Sequence, residues 1–134
     1  MFIEILNKIK EYNRIIIHRH MRPDGDCMGS QMGLKYLLKN SFPDKEIYAV
    51  GDGVPSYLQE LGEIDNIPDE YYNDALVIVV DTSVDKRIYD DRWKTGKYII
   101  KIDHHDDSPD FGNLCYVDET CPACSAIIVR MIKA

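Results

Sequence analysis

The run Ala75-Leu76-Val77-Ile78-Val79-Val80 is apolar at six successive positions, with no alternation between apolar and polar side chains. Successive side chains on a strand point to opposite faces, so a strand with one wet face alternates; one that is apolar throughout is covered on both sides, as in a parallel sheet packed under helices. The run ends in a single acid, Asp81.

The other segments supply the layers that such a strand needs. MFIEILNKIKEYN carries Phe2, Ile5, Leu6 and Ile9 at helical spacing, Ile15 to His18 is a β-branched run that reads as a strand, and Met28 to Asn40 is apolar at 28, 32, 34, 37 and 38, the stripe of a helix packed on one face. Ser41, Pro43 and Asp44 break that helix, and Glu46 to Val50 is a second strand closed by Gly51-Asp52-Gly53. Residues 54 to 74 hold Pro55, Gly62 and Pro68 and predict short helical turns with little regular structure. Lys97 to Ile102 and Leu114 to Val117 read as further strands, and Pro122 to Ala134 as a helix with Ile127, Ile128, Met131 and Ile132 on one stripe. Strands alternating with helices predict the α/β class, a mainly parallel sheet flanked by helices, in one domain over residues 1–134.

Composition narrows the function. A net charge of −7 repels polyanions at long range, which argues against coating of double-stranded DNA and requires local cations wherever a phosphate binds. No stretch is apolar for long enough to span a membrane, and the amphipathic start lacks the basic end and small-residue cleavage site of a signal peptide, so a cytoplasmic protein is expected. The four cysteines, Cys27, Cys115, Cys121 and Cys124, are too few for a disulfide scaffold in a chain of this length and read as reduced thiols.

In open α/β sheets ligands sit beyond the carboxyl ends of the strands. Three such ends carry the densest polar chemistry in this chain: His20 with Asp24 and Asp26, then Asp81, then Asp103-His104-His105. Carboxylate and imidazole together suit first-row divalent metals such as Mn²⁺. His20, Asp24, Asp26, Asp81 and His104 are therefore candidate ligands for a pair of cations, and one shared carboxylate holds such a pair about 3.5–4 Å apart, close enough to activate a water and stabilise a leaving oxygen. Asp81, alone on a central strand, is the natural bridge. Pro23 stiffens the preceding turn, Gly25 is expected to let the backbone bend so that Asp24 and Asp26 serve different ions, and a helix starting near Met28 would aim its N-terminus at bound phosphate.

These residues carry a resemblance. His20-x-x-Pro23-Asp24-x-Asp26, the aspartate of "VIVVDTS" and "IDHH" at 102–105 resemble the first three motifs of the DHH phosphoesterase family, and "HRHMRPDGDCMGSQMGL" with "IKIDHHDDSPDFGNLCYVDET" is similar to its oligoribonuclease and pAp-phosphatase branch. The likeness implies that His20, Asp24 and Asp81 hold one Mn²⁺, and Asp26, Asp81 and His104 the other. Asp103 would orient the strand end by hydrogen bonds, and His105 would contact the scissile phosphate. Hydrolysis of short RNA and pAp is the implied activity, with cyclic or linear dinucleotides as the alternative substrates.

The family's fourth motif, an aspartate completing the second site, and its C-terminal substrate-binding domain have no counterpart in residues 1–134. The expectation is an incomplete domain, cut at its C-terminus, with weak or absent turnover by these residues alone and an apolar helix face that favours a homodimer. Other classes compete: a non-catalytic nucleotide- or metal-binding module, a thiol-redox protein built on Cys121-Pro122-Ala123-Cys124, and a zinc site from the four cysteines.

Overall fold

The computed structural model describes residues 2–82, 88, 91–104, 111–118, 121 and 123–133, with no side-chain description for 131–133. The elements are α1 (Phe2–Glu11), β1 (Arg14–His18), α2 (Gly25–Ser41), β2 (Glu46–Ala49), β3 (Leu76–Val80), β4 (Tyr98–Asp103), β5 (Leu114–Val117) and α3 (Cys124–Lys133). The strands form one sheet in the order β2-β1-β3-β4-β5, and each pairing is parallel. The expected α/β architecture is thus observed, and the sheet is parallel throughout rather than mainly so.

The register positions the site. Val79 lies opposite His18, and Val80 opposite Ile102. The chain therefore leaves β1, β3 and β4 at neighbouring points of one sheet edge, carrying His20, Asp81 and His104 with it.

Alternate side chains of the three central strands enter two different layers. Ile15, Ile17, Leu76, Ile78, Val80, Ile100 and Ile102 pack against Ile5 and Ile9 of α1, Leu34 and Leu38 of α2, and Ile127 and Ile128 of α3. The stripe expected on the last helix is met by Ile127 and Ile128; Met131 and Ile132 lie beyond the described side chains. At Gly33 α2 faces α3, where a Cβ would meet Ile128 at an ordinary contact distance of 3.5 Å.

The opposite face departs from expectation, because among the described residues no α-helix covers it. Ile16, Val77 and Val79 pack instead on Tyr72, Ile88 and Trp93, with Tyr72 and Trp93 presented by the 3₁₀ helices Asp69–Asp74 and Arg92–Thr95. Chain interrupted by Pro55, Gly62 and Pro68 cannot sustain an α-helix, and two large aromatic rings bury the same surface from irregular backbone. The exposed edge of β2 is closed in a similar way. Asp65 pairs with Ala49 through its own backbone N–H (2.6 Å) and accepts from the Ala49 N–H through its carboxylate (2.9 Å), which also meets the buried Lys35 Nζ at 2.8 Å.

Among the described residues no helix is long and apolar enough to cross a membrane.

Candidate metal centre

The segment after β1 is anchored from within by Arg19, whose side chain is fully buried. Nε donates to Gln31 Oε1 (3.1 Å), Nη1 to the His20 carbonyl (3.1 Å) and to Asp52 Oδ1 (2.8 Å), and Nη2 to the Gly53 carbonyl. Gly51 is required here because a Cβ would lie 2.3 Å from Nη2. The other Asp52 oxygen accepts from the Arg22 N–H at 3.0 Å, at a backbone bend where Arg22 has a φ of 55°. The bend expected at Gly25 is therefore made at Arg22, and Gly25 is the first residue of α2.

This also moves the helix start. α2 begins three residues before Met28, because Asp24 is extended (φ −99°, ψ −175°) and its carboxylate accepts from the Cys27 N–H at 2.8 Å. Aspartate in that geometry satisfies one of the amides that a helix N-terminus leaves unpaired. Asp24 is exposed and occupied as a cap, while Asp26 sits in the first turn and points away from its own helix toward α3.

Asp26 Oδ2 accepts from the Cys124 N–H (3.0 Å) and Oδ1 from the Ser125 N–H (2.9 Å). The first amides of α3 are thus held by a carboxylate from α2, nearly a hundred residues earlier. Burial pushes the Asp26 carboxyl up, but the hydrogen bonds from Ser125 and Cys124 and the nearby His104 outweigh it and leave the group below its ordinary range. The Asp26→Ala chain is expected to lose about 1–2 kcal/mol of stability, with the Asp26→Asn chain, which keeps one acceptor, between it and the parent. Urea unfolding curves check this order.

Asp81 is the centre of the cluster. It is 4% exposed and sits one residue beyond β3 with a φ of 53°, its N–H continuing the ladder to the Ile102 carbonyl at 3.0 Å. Left-handed backbone at a buried non-glycine costs about 1–3 kcal/mol and persists only where the surroundings over-determine it; the wholly buried β3 supplies that constraint. His20 Nε2 lies 3.7 Å from Asp81 Oδ2, and His104 Nε2 lies 3.3 Å from Asp81 Oδ1 and 3.6 Å from Asp26 Oδ2. Asp81 Oδ1 is buried and has no hydrogen-bond partner among the described residues.

Two groups of donor atoms share Asp81. His20, Cys27 and Asp81 form one and Asp26, Asp81 and His104 the other, with the ligand atoms of each lying within 4.8 Å of one another. The donor set fits a pair of divalent cations: imidazole nitrogens and carboxylate oxygens around a buried carboxylate with an unengaged oxygen. Of the residues singled out from sequence, the structure brings His20, Asp26, Asp81 and His104 together; Asp24 borders the cluster as a helix cap. Asp103 ends β4 fully buried, and His105 lies outside the described residues. Cys27, read from sequence as a reduced thiol, stands in the donor group instead of Asp24. Its signal was available, since it is the third residue after the cap and returns to the same side of the first helical turn.

Protons occupy this cluster when cations do not. The His20 imidazole is pushed up to about 10, chiefly by its hydrogen bond to Asp81 and then by Cys27, against burial. Burial and the charges of Asp26 and Asp24 hold the Asp81 carboxyl above its ordinary range despite His20. At neutral pH a cation must therefore displace the His20 proton. Affinity for Mn²⁺ is expected to rise with pH, approaching tenfold per pH unit until His20 titrates near 10. The same shift stabilises the metal-free fold fully below the ordinary histidine pKa, a contribution lost as pH rises toward about 10. Calorimetry across a pH series, in buffers of different ionisation enthalpy, counts the released proton.

The cysteine-based alternatives find no support in the geometry. Burial pushes the Cys121 and Cys124 thiols up, the reverse of the lowered pKa that a redox thiolate needs, and Pro122 between them lies outside the described residues. No metal-ligand group among the described residues contains two cysteines.

Comparison with known proteins agrees with the architecture. Residues 14–134 match the DHH family, N-terminal domain. The chain is 49% identical over 127 residues to the Streptococcus mutans "Probable bifunctional oligoribonuclease and PAP phosphatase NrnA", and 43% identical over 133 residues to the Bacillus subtilis "Bifunctional oligoribonuclease and PAP phosphatase NrnA". These matches cover 95% and 98% of the chain but 41% and 42% of the relatives, so the chain spans about two fifths of their length. The crystal structure of an exopolyphosphatase-related protein from Bacteroides fragilis superposes with a TM-score of 0.83 at 23% identity, covering 98% of this chain and 42% of that one, and shares its fold. Taken with the strand-end cluster, the match over residues 14–134 establishes that the chain belongs to the DHH family and carries its N-terminal domain.

Proposed function

We propose that the protein is a metal-dependent phosphoesterase that hydrolyses short oligoribonucleotides and pAp at a pair of Mn²⁺ ions, acting in the cytoplasm. The observation that carries this reading is the pair of donor groups sharing Asp81 at the ends of neighbouring parallel strands. The substrate class follows the names of the relatives at 43–49% identity.

His20, Asp24 and Asp81 would hold one ion, and Asp26, Asp81 and His104 the other. When bound, such a pair supplies positive charge at the phosphoryl oxygens and lowers the pKa of water. The chain's own residues do the positioning. Asp81, locked by its backbone bond to Ile102, keeps a carboxylate between the two imidazoles of His20 and His104. Asp26 is oriented by the α3 amides, and Asp24 by the α2 N-terminus. His105 would contact the scissile phosphate, and Asp103 would orient the strand end that carries both histidines. The α3 N-terminus is spent on Asp26 rather than on phosphate. In a chain of net charge −7 the cations therefore supply the attraction for substrate.

The test is Mn²⁺-dependent release of inorganic phosphate from pAp, with a linear dinucleotide as second substrate. Slow release by this chain, reduced at least about a hundredfold by His104→Ala, a loss of roughly 3 kcal/mol of barrier lowering, supports the reading. Release that persists undiminished in the variant overturns it.

A further inference from the structure

The two sides of the centre differ in chemical softness. The side formed by Asp26, Asp81 and His104 offers only oxygen and nitrogen, whereas the side formed by His20 and Asp81 includes the Cys27 sulfur within the same 4.8 Å. All three donors on that side are buried, Cys27 completely. Cys27 is also fixed in direction. It sits in the first turn of α2 with its N–H held by Asp24 at 2.8 Å, so the thiol is presented by rigid backbone rather than by a loop.

We propose that Cys27 makes the His20–Asp81 side a trap for thiophilic dications, Zn²⁺ or Cd²⁺, which bind there through sulfur and displace Mn²⁺. This rests on reading the cluster as a metal centre. Sulfur, nitrogen and oxygen from three side chains are the ligand set of an open tetrahedral zinc site, with one position left for water or substrate. Manganese, which favours oxygen and nitrogen, gains little from the thiol, so the same pocket discriminates by donor type. Binding breaks the S–H bond heterolytically: the proton leaves to solvent, the electron pair stays on sulfur, and the sulfur–metal bond forms with no change in oxidation state. Zinc held in this way occupies a position that the proposed chemistry needs for manganese. The consequence is inhibition by a soft metal.

Cadmium titration of the metal-free chain tests this, read by the ultraviolet thiolate-to-cadmium charge-transfer band. One equivalent is expected to saturate the band in the parent and in the Cys124→Ala chain. Cys27→Ala is expected to abolish it and to weaken Zn²⁺ at least tenfold more than it weakens Mn²⁺; Cys27→Ser gives the same readout should the alanine variant fail to fold. A band that survives both Cys27 substitutions overturns the proposal, as does a parent chain that binds Mn²⁺ and shows no band. A parent that binds neither metal overturns the metal-centre reading itself.

Discussion

The Asp81→Ala chain is expected to lose binding at both metal positions together, by at least about a hundredfold each, while remaining folded. The magnitude follows from the structure of the cluster. Removing a group that merely orients a ligand costs 10–100-fold in metal affinity, and Asp81 belongs to both donor groups at once. A ligand used by one site alone predicts a different result, in which one site weakens and the other survives. Asp26→Ala and His20→Ala are the controls of that kind, each expected to damage mainly its own side. The metal-free chain reports the same geometry through His20. Its imidazole is pushed up to about 10 chiefly by Asp81, so Asp81→Asn should return it toward the ordinary histidine value of about 6.5, measured by NMR titration of the ring protons. Two independent sites after substitution, or an unchanged imidazole, would show that Asp81 is not the shared group.

The second large effect concerns stability and lies at Arg19. Replacing it with leucine removes a fully buried guanidinium that satisfies Gln31, the His20 and Gly53 carbonyls and Asp52. Breaking one partner of a buried charged pair costs about 3–5 kcal/mol, and the lower end applies because the Asp52 side chain remains 30% exposed and can rehydrate. A loss near 3 kcal/mol corresponds to a fall of roughly 10 °C in Tm for a domain of this size, read by calorimetry. The damage should spread to function. Arg19 ties the segment carrying His20 to the turn at 51–53, so metal affinity on the His20 side should weaken even though its bond to His20 is to the carbonyl and not to the imidazole. Gly51→Ala should reproduce the loss from the other direction, since its Cβ would enter the space of the guanidinium. A Gly51→Ala chain as stable as the parent would show that this packing is not needed.

Much of this architecture was legible because its causes are local or periodic. An unbroken apolar run can be stable only when covered on both faces, which already implied a parallel sheet before any strand was paired. The rule that ligands gather beyond strand ends then selected His20, Asp81 and His104 from a chain with many acids. What covers the second face was not legible, because Tyr72 and Trp93 lie in segments without periodicity and become a layer only when the sheet is present. The start of α2 was misplaced for a similar reason. An apolar stripe marks where a helix packs, whereas its N-terminus is set by the side-chain bond of Asp24, before the stripe begins.

By itself, the sequence determined the class of the sheet, the order of its elements and the residues whose chemistry suits divalent cations, because hydrophobic period and donor type are properties of the residues. Only the tertiary structure decided how those donors are divided. Asp24 becomes a cap, Cys27 faces the centre, and Asp26 reaches across to the amides of α3. Each outcome depends on the parallel register that brings three strand ends to one edge and on the helices packed behind them. Which atoms then meet is a matter of distance across the fold, and spacing along the chain does not encode it.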